Sequence, residues 1–147
     1  MKDLSQFIER LVELMHEKNL NIYSLSKQIK CDHKAIRRWF KNQYYPRYYI
    51  LINLADYFGV AIDYLLGLTN DDSYSPSTAR KTFLDRFRFC MENKNYSAYR
   101  VAKICGIERS TIYYWTKYNK MPETETLILL AKCFNCSIDF LLGRTDE

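Results

Sequence analysis

The chain has 147 residues, 22 of them Lys or Arg and 17 Asp or Glu, for a formal charge of +5. Its 48% apolar and 16% aromatic content excludes wholesale disorder and suits one ordinary domain or two small ones. The greasiest stretch, Ile50 to Leu68, is interrupted by Asn53, Asp56, Gly59 and Asp63, so no run is long enough to cross a bilayer, and no membrane partner is expected.

The start of the chain, Met1 to Phe7, lacks the charged-then-apolar order of a secretion signal, and a cytoplasmic protein is expected. Five cysteines in a reducing compartment predict no disulfide framework. Leu4, Phe7, Ile8, Leu11, Val12 and Met15 recur at helical spacing and predict a first helix. Ile22, Leu25 and Ile29 give a short second one, closed by a turn at Lys30-Cys31. Asp32 then caps a third, which ends before Pro46. Leu51, Leu54, Ala55 and Phe58 predict a fourth. A fifth carries Asp63 in its first turn, where the helix dipole favours an anion, and stops at Gly67.

The same order then recurs. Shifting the sequence by 76 aligns Phe7–Asp71 with Phe83–Glu147 without a gap, with 22 of 65 positions identical. Trp39 pairs with Trp115, Pro46 with Pro122, Leu54-Ala55 with Leu130-Ala131, and Leu65-Leu66-Gly67 with Leu141-Leu142-Gly143. Phe83, Phe87, Cys90 and Met91 stand for the first helix of the copy, and Ser137 is an N-cap for its last. No useful length alternates with period two, so the reading is all-α. The polar stretch around Pro76 reads as a linker, which divides the chain into residues 1–68, a linker at 69–78, and residues 79–147. Taken as Leu68 to Thr78 and fully extended, it reaches about 36 Å.

Leu-Ala-x-x-Phe and the ending Ile-Asp-x-Leu-Leu-Gly, present in both copies, carry a family resemblance. So does the small residue at the expected crossing of helices two and three, Ser26 or Ala102, among Leu25, Ile29, Ile36 and Trp39 or Val101, Cys105, Ile112 and Trp115. Each unit resembles the lambda-repressor-like helix-turn-helix domain of the xenobiotic-response-element type. The resemblance implies two tandem five-helix DNA-binding domains whose third helices enter the major groove of double-stranded DNA. Carried over by alignment, it assigns base reading to His33, Lys34 and Arg38 in the first unit and to Arg109, Ser110 and Tyr114 in the second, with Arg37 and Tyr113 beside them. It also implies a transcriptional regulator, most simply a repressor, with the fifth helices available to a second copy or another protein. The glutamine that the family commonly has at the start of helix two is replaced by Ile22 and Ala98. The turn glycine is kept as Gly106 and replaced by Lys30, where a left-handed backbone costs about 1 kcal/mol.

Charge falls in the same place. From Lys27 to Arg47 there are seven cations, Lys27, Lys30, Lys34, Arg37, Arg38, Lys41 and Arg47, against the single anion Asp32, whereas the rest of residues 1–71 is net acidic. The matching window of the copy, Lys103 to Glu123, has four cations, Lys103, Arg109, Lys117 and Lys120, and two anions, so weaker phosphate binding is expected there. The tyrosines around Pro46, namely Tyr44, Tyr45, Tyr48 and Tyr49, suit core packing with wet hydroxyls, phosphate contacts, or stacking on unpaired bases. Cys133 and Cys136 invite a metal reading, but the only histidines, His16 and His33, belong to the other copy, and the cysteines align with apolar residues. No metal, cofactor or catalytic constellation is expected. The rival to DNA binding is a protein-interaction or antitoxin-like module that keeps the fold with weak or no reading of DNA.

Overall fold

A computed structural model describes residues 3–147, and among them every regular element is helical. In chain order these are α1 (Ser5–Glu17), α2 (Ile22–Ile29), α3 (His33–Phe40), α4 (Tyr48–Phe58), α5 (Ile62–Leu65), α6 (Phe83–Lys94), α7 (Ala98–Cys105), α8 (Arg109–Tyr118), α9 (Thr124–Phe134) and α10 (Ile138–Leu141). The chain forms two compact units, one ending at Tyr74 and the other spanning Ser75–Glu147.

In the first unit, α2 packs on both α3 and α4, and α5 closes against α1 and α4. Leu4, Phe7, Leu11, Leu25, Ile36, Trp39, Leu51 and Leu54 fill the centre, with the Phe7 and Trp39 rings edge-on at 6.1 Å. Val12, expected on the core face of α1, is exposed instead, and Leu14 takes the buried place. The apolar stripe therefore runs Phe7, Leu11, Leu14, Met15, the i, i+3, i+4 pattern of one helix face. The second unit repeats the arrangement around Phe87, Trp115, Leu127, Leu130 and Ile138.

Caps set the boundaries. Asn21 and Ser24 form a reciprocal capping box at α2, and Thr82 and Asp85 do the same at α6. The Asp32 carboxylate accepts the Lys34 N–H at 2.9 Å and opens α3, whereas Glu108 at the matching place makes no side-chain cap bond. Lys30 does adopt the left-handed conformation, φ 54°, that Gly106 adopts at φ 68°. Asn19, Asn42, Asn95, Asn119 and Asn135 also sit there, the side chain that tolerates this region best after glycine.

An arginine clamps the first helix of each unit to its last. Arg10 donates to the carbonyls of Tyr64 and Thr69, and its guanidinium lies 3.7 Å above the Tyr64 ring. Arg86 donates to the carbonyls of Phe140 and Thr145, pairs with Asp146 at 3.0 Å, and lies 4.2 Å above the Phe140 ring. The leucines of the fifth helices, Leu65, Leu66 and Leu141, are buried in their own units, and Tyr64 and Phe140 are half-buried beneath these arginines. The second unit has a buried ion pair, Asp139 with Arg144, and the aligned residues in the first are Asp63 and Leu68.

Much of the stretch expected to be a linker is fastened down. The Ala61 N–H donates to the Asp72 carbonyl, and the Ser77 N–H to the Arg144 carbonyl. Asp146 further accepts from the Ser77 hydroxyl and the Thr78 N–H. The extended reach assigned to Leu68–Thr78 therefore counts residues that are already held.

Candidate nucleic-acid interface

The α3 helix is held by one face and offers the other. Ile36 and Trp39 are buried, which points the residues on the opposite side outward. Lys34, Arg37, Arg38 and Lys41 are all exposed, and residues four apart form two rows: His33, Arg37, Lys41 and Lys34, Arg38. His33 is half-buried, its ring 4.8 Å from that of Tyr23 and its Nδ1 3.7 Å from Asp32 Oδ1. The Arg37 guanidinium lies 5.6 Å from the same Tyr23 ring, so an exposed tyrosine of α2 supports two residues of α3. Arg38 donates to the Tyr44 hydroxyl at 3.4 Å, a bond that raises the arginine's pKa further. Lys27 and Lys30, on α2 and its closing turn, and Arg47, just before α4, are also exposed. Sequence reasoning placed these cations together, and the structure leaves each of them exposed on or at the end of α2 or α3, or just before α4.

The second unit positions α8 in the same way, with Ile112 and Trp115 inward. Its outward rows are Arg109, Tyr113, Lys117 and Ser110, Tyr114, Tyr118, all exposed. The three tyrosine rings gather, with centroids 6.1, 6.1 and 5.8 Å apart, and Lys117 Nζ lies 5.4 Å from the Tyr113 ring. Arg109 lies 5.7 Å from Tyr99, the counterpart of Tyr23. Lys103 is exposed on α7.

Three tyrosines escaped the sequence reading. Tyr23 and Tyr99 were legible as an identity between the copies but sit on helix two, where no role was assigned. Tyr118 aligns with Asn42, a residue beyond the end of α3, whereas α8 continues through it. Around Pro46, Tyr44, Tyr45 and Tyr48 are half-buried and Tyr49 is exposed.

The cysteines are not uniformly buried, although they align with apolar residues. Cys90 and Cys105 are buried, but Cys31, Cys133 and Cys136 are only half covered. Four of the five belong to the second unit, in two thiol–thiol pairs, Cys90 with Cys136 and Cys105 with Cys133. Burial, and then the neighbouring Cys133, push the Cys105 thiol up to about 12, while the hydrogen bond from Cys136 lowers that of Cys90. No group of three or more His, Cys, Asp or Glu among the described residues is arranged to hold a metal ion. No helix among them is long and apolar enough to cross a membrane.

Residues 87–141, from the middle of α6 to the end of α10, match the helix-turn-helix family model. Over 64 residues the chain is 34% identical to the HTH-type transcriptional regulator AnsR of Bacillus subtilis (strain 168), a match covering 44% of this chain and 55% of that protein. The chain thus spans about half the length of this curated relative. No solved structure matches it.

Proposed function

We propose that the chain is a sequence-specific regulator of transcription that binds double-stranded DNA through two linked helix-turn-helix units, α3 reading one major groove and α8 another. The single observation that carries this reading is the α3 surface. Lys34, Arg37, Arg38 and Lys41 are exposed on a helix anchored from behind by Ile36 and Trp39. Lysine and arginine donate to guanine O6 and N7, and the flanking Lys27, Lys30 and Arg47 suit phosphates. The match of residues 87–141 to the helix-turn-helix model supports the same role for the second unit, and the likeness of 64 residues of the chain to a transcriptional regulator supports a regulatory role.

The two tandem five-helix domains, residues 1–68 and 79–147, lie within the compact units that meet between Tyr74 and Ser75. Occupying a promoter would make the protein a repressor. Because His33, Lys34 and Arg38 differ from Arg109, Ser110 and Tyr114, the operator has two unlike halves. A second copy would meet the fifth helices at Tyr64 and Phe140 rather than at their buried leucines.

Selection of duplexes from a random pool by the full chain, followed by Lys34→Ala and Arg38→Ala, tests the proposal. Each substitution removes about 1–3 kcal/mol of discrimination and relaxes preference in one half of the site. Lys27→Ala and Lys41→Ala instead weaken all sequences alike and flatten the salt dependence. Binding that is indifferent to all four substitutions refutes DNA reading by the first unit and favours the protein-interaction module. A perfectly palindromic selected site refutes the unlike halves.

A further inference from the structure

The two candidate reading helices share a scaffold and differ in chemistry. Each outward row of α3 is cationic, whereas the corresponding rows of α8 carry a cluster of phenol rings. Tyr113, Tyr114 and Tyr118 are 48%, 50% and 55% exposed, and their rings gather against one another. Three clustered rings at half exposure leave apolar surface in water without an intramolecular reason, because Ile112 and Trp115 already anchor the helix. Arg109 and Lys117, one at each end of the Tyr113 row, supply positive charge where a polyanion's backbone would lie.

In the major groove, the base edge that rewards apolar contact is the C5 methyl of thymine; the remaining edges present hydrogen-bonding groups. We infer that α8 reads thymine methyl groups through Tyr114 and Tyr118, with Tyr113 backing them, so that the second unit selects a thymine-rich half-site. The cationic α3 selects a half-site richer in guanine. This inference rests on the DNA-reading proposal above and goes beyond it, since it names the base and the atom that is read. Single-stranded DNA, whose bases would stack on the same rings, is the competing occupant. The duplex is favoured because the tyrosines lie along one convex helix, flanked by cations, and not on an open platform that splays bases apart.

The experiment uses the intact chain and duplexes it enriches from a random pool at one fixed salt concentration. Each enriched duplex is remade with deoxyuridine in place of thymidine, which deletes the C5 methyl and leaves pairing unchanged. Replacement within the half-site assigned to the second unit weakens binding about fourfold per contacted methyl, and replacement in the other half has little effect. Tyr114→Ala assigns the half-site by abolishing the methyl sensitivity, and Tyr114→Phe, which keeps the ring, retains it. Equal affinity for thymidine and deoxyuridine duplexes overturns the inference while leaving DNA reading intact. Equal competition by the matching single strand also overturns it. A pool that shows no enrichment at all overturns the proposed function itself.

Discussion

Replacing Arg144 by Met removes one partner of the buried pair with Asp139. Asp139 is 2% exposed and Arg144 is 9% exposed, so the remaining anion would lose this cationic partner away from water. Breaking such a pair from one side costs about 3–5 kcal/mol, whereas replacing both partners by well-packed neutral residues is often close to neutral. A unit of this size has ~4–11 kcal/mol of stability in total, so the single substitution should remove about a quarter of it or more. Each unit has one tryptophan, Trp39 at 1% and Trp115 at 2% exposure, which permits a separate measurement of each. In a Trp39→Phe background, urea unfolding followed by Trp115 fluorescence should show the full loss for Arg144→Met. Most of it should return in Asp139→Asn/Arg144→Met, since the first unit already uses Leu68 at the Arg144 position. A loss below about 1 kcal/mol in the single variant, or an equal loss at Trp39 in a Trp115→Phe background, would falsify the assignment.

Glu108→Ser supplies the missing N-cap of α8 and should stabilise the second unit by about 1 kcal/mol, while Asp32→Ala weakens the first by a similar amount. Tryptophan-resolved urea midpoints read both changes, and an unmoved Trp115 midpoint in Glu108→Ser rejects the cap argument. The Ser77 hydroxyl, the Thr78 N–H and the Arg86 guanidinium hold the Asp146 carboxyl below its ordinary range. Its contribution is therefore fully present above the unfolded value and is lost as pH falls through the lower folded one. Thermal melts of wild type and Asp146→Asn should differ at neutral pH and converge in acid; a gap that widens in acid has the wrong sign. Cys105, pushed up to about 12, should be the last thiol alkylated in mildly alkaline buffer, as followed by peptide mass mapping. Early modification of Cys105 while Trp115 remains buried contradicts this.

The helices were legible because apolar residues at 3.6 spacing, proline stops and side-chain caps all point the same way at Asp32, Pro46, Ser137 and Gly143. The exposed face of α3 was legible for the same reason, since placing Ile36 and Trp39 inside fixes Lys34, Arg37 and Arg38 outside. Arg86, Asp139 and Arg144 were not legible. A charged residue reads as a solvent position until a partner from a distant segment is known, and their partners lie 5 to 60 residues away. The thiol pairs were hidden likewise, because each member aligns with an ordinary apolar residue in the first unit. The tyrosine cluster on α8 depends on the helix running on to Tyr118, and no stop signal distinguished it from the shorter α3.

With Asp72 secured to one unit and Ser77 to the other, only the four residues Ser73–Pro76 separate these two anchor points. So short a connection, stiffened further by a proline, has little conformational freedom to surrender when both units engage one ligand. Once one unit is captured, the other is kept at high effective concentration nearby, and full dissociation requires both to let go within the same brief interval. Lengthening the Ser73–Pro76 stretch with glycine and serine should therefore shorten the residence time on a two-part site, with each unit's own affinity unchanged.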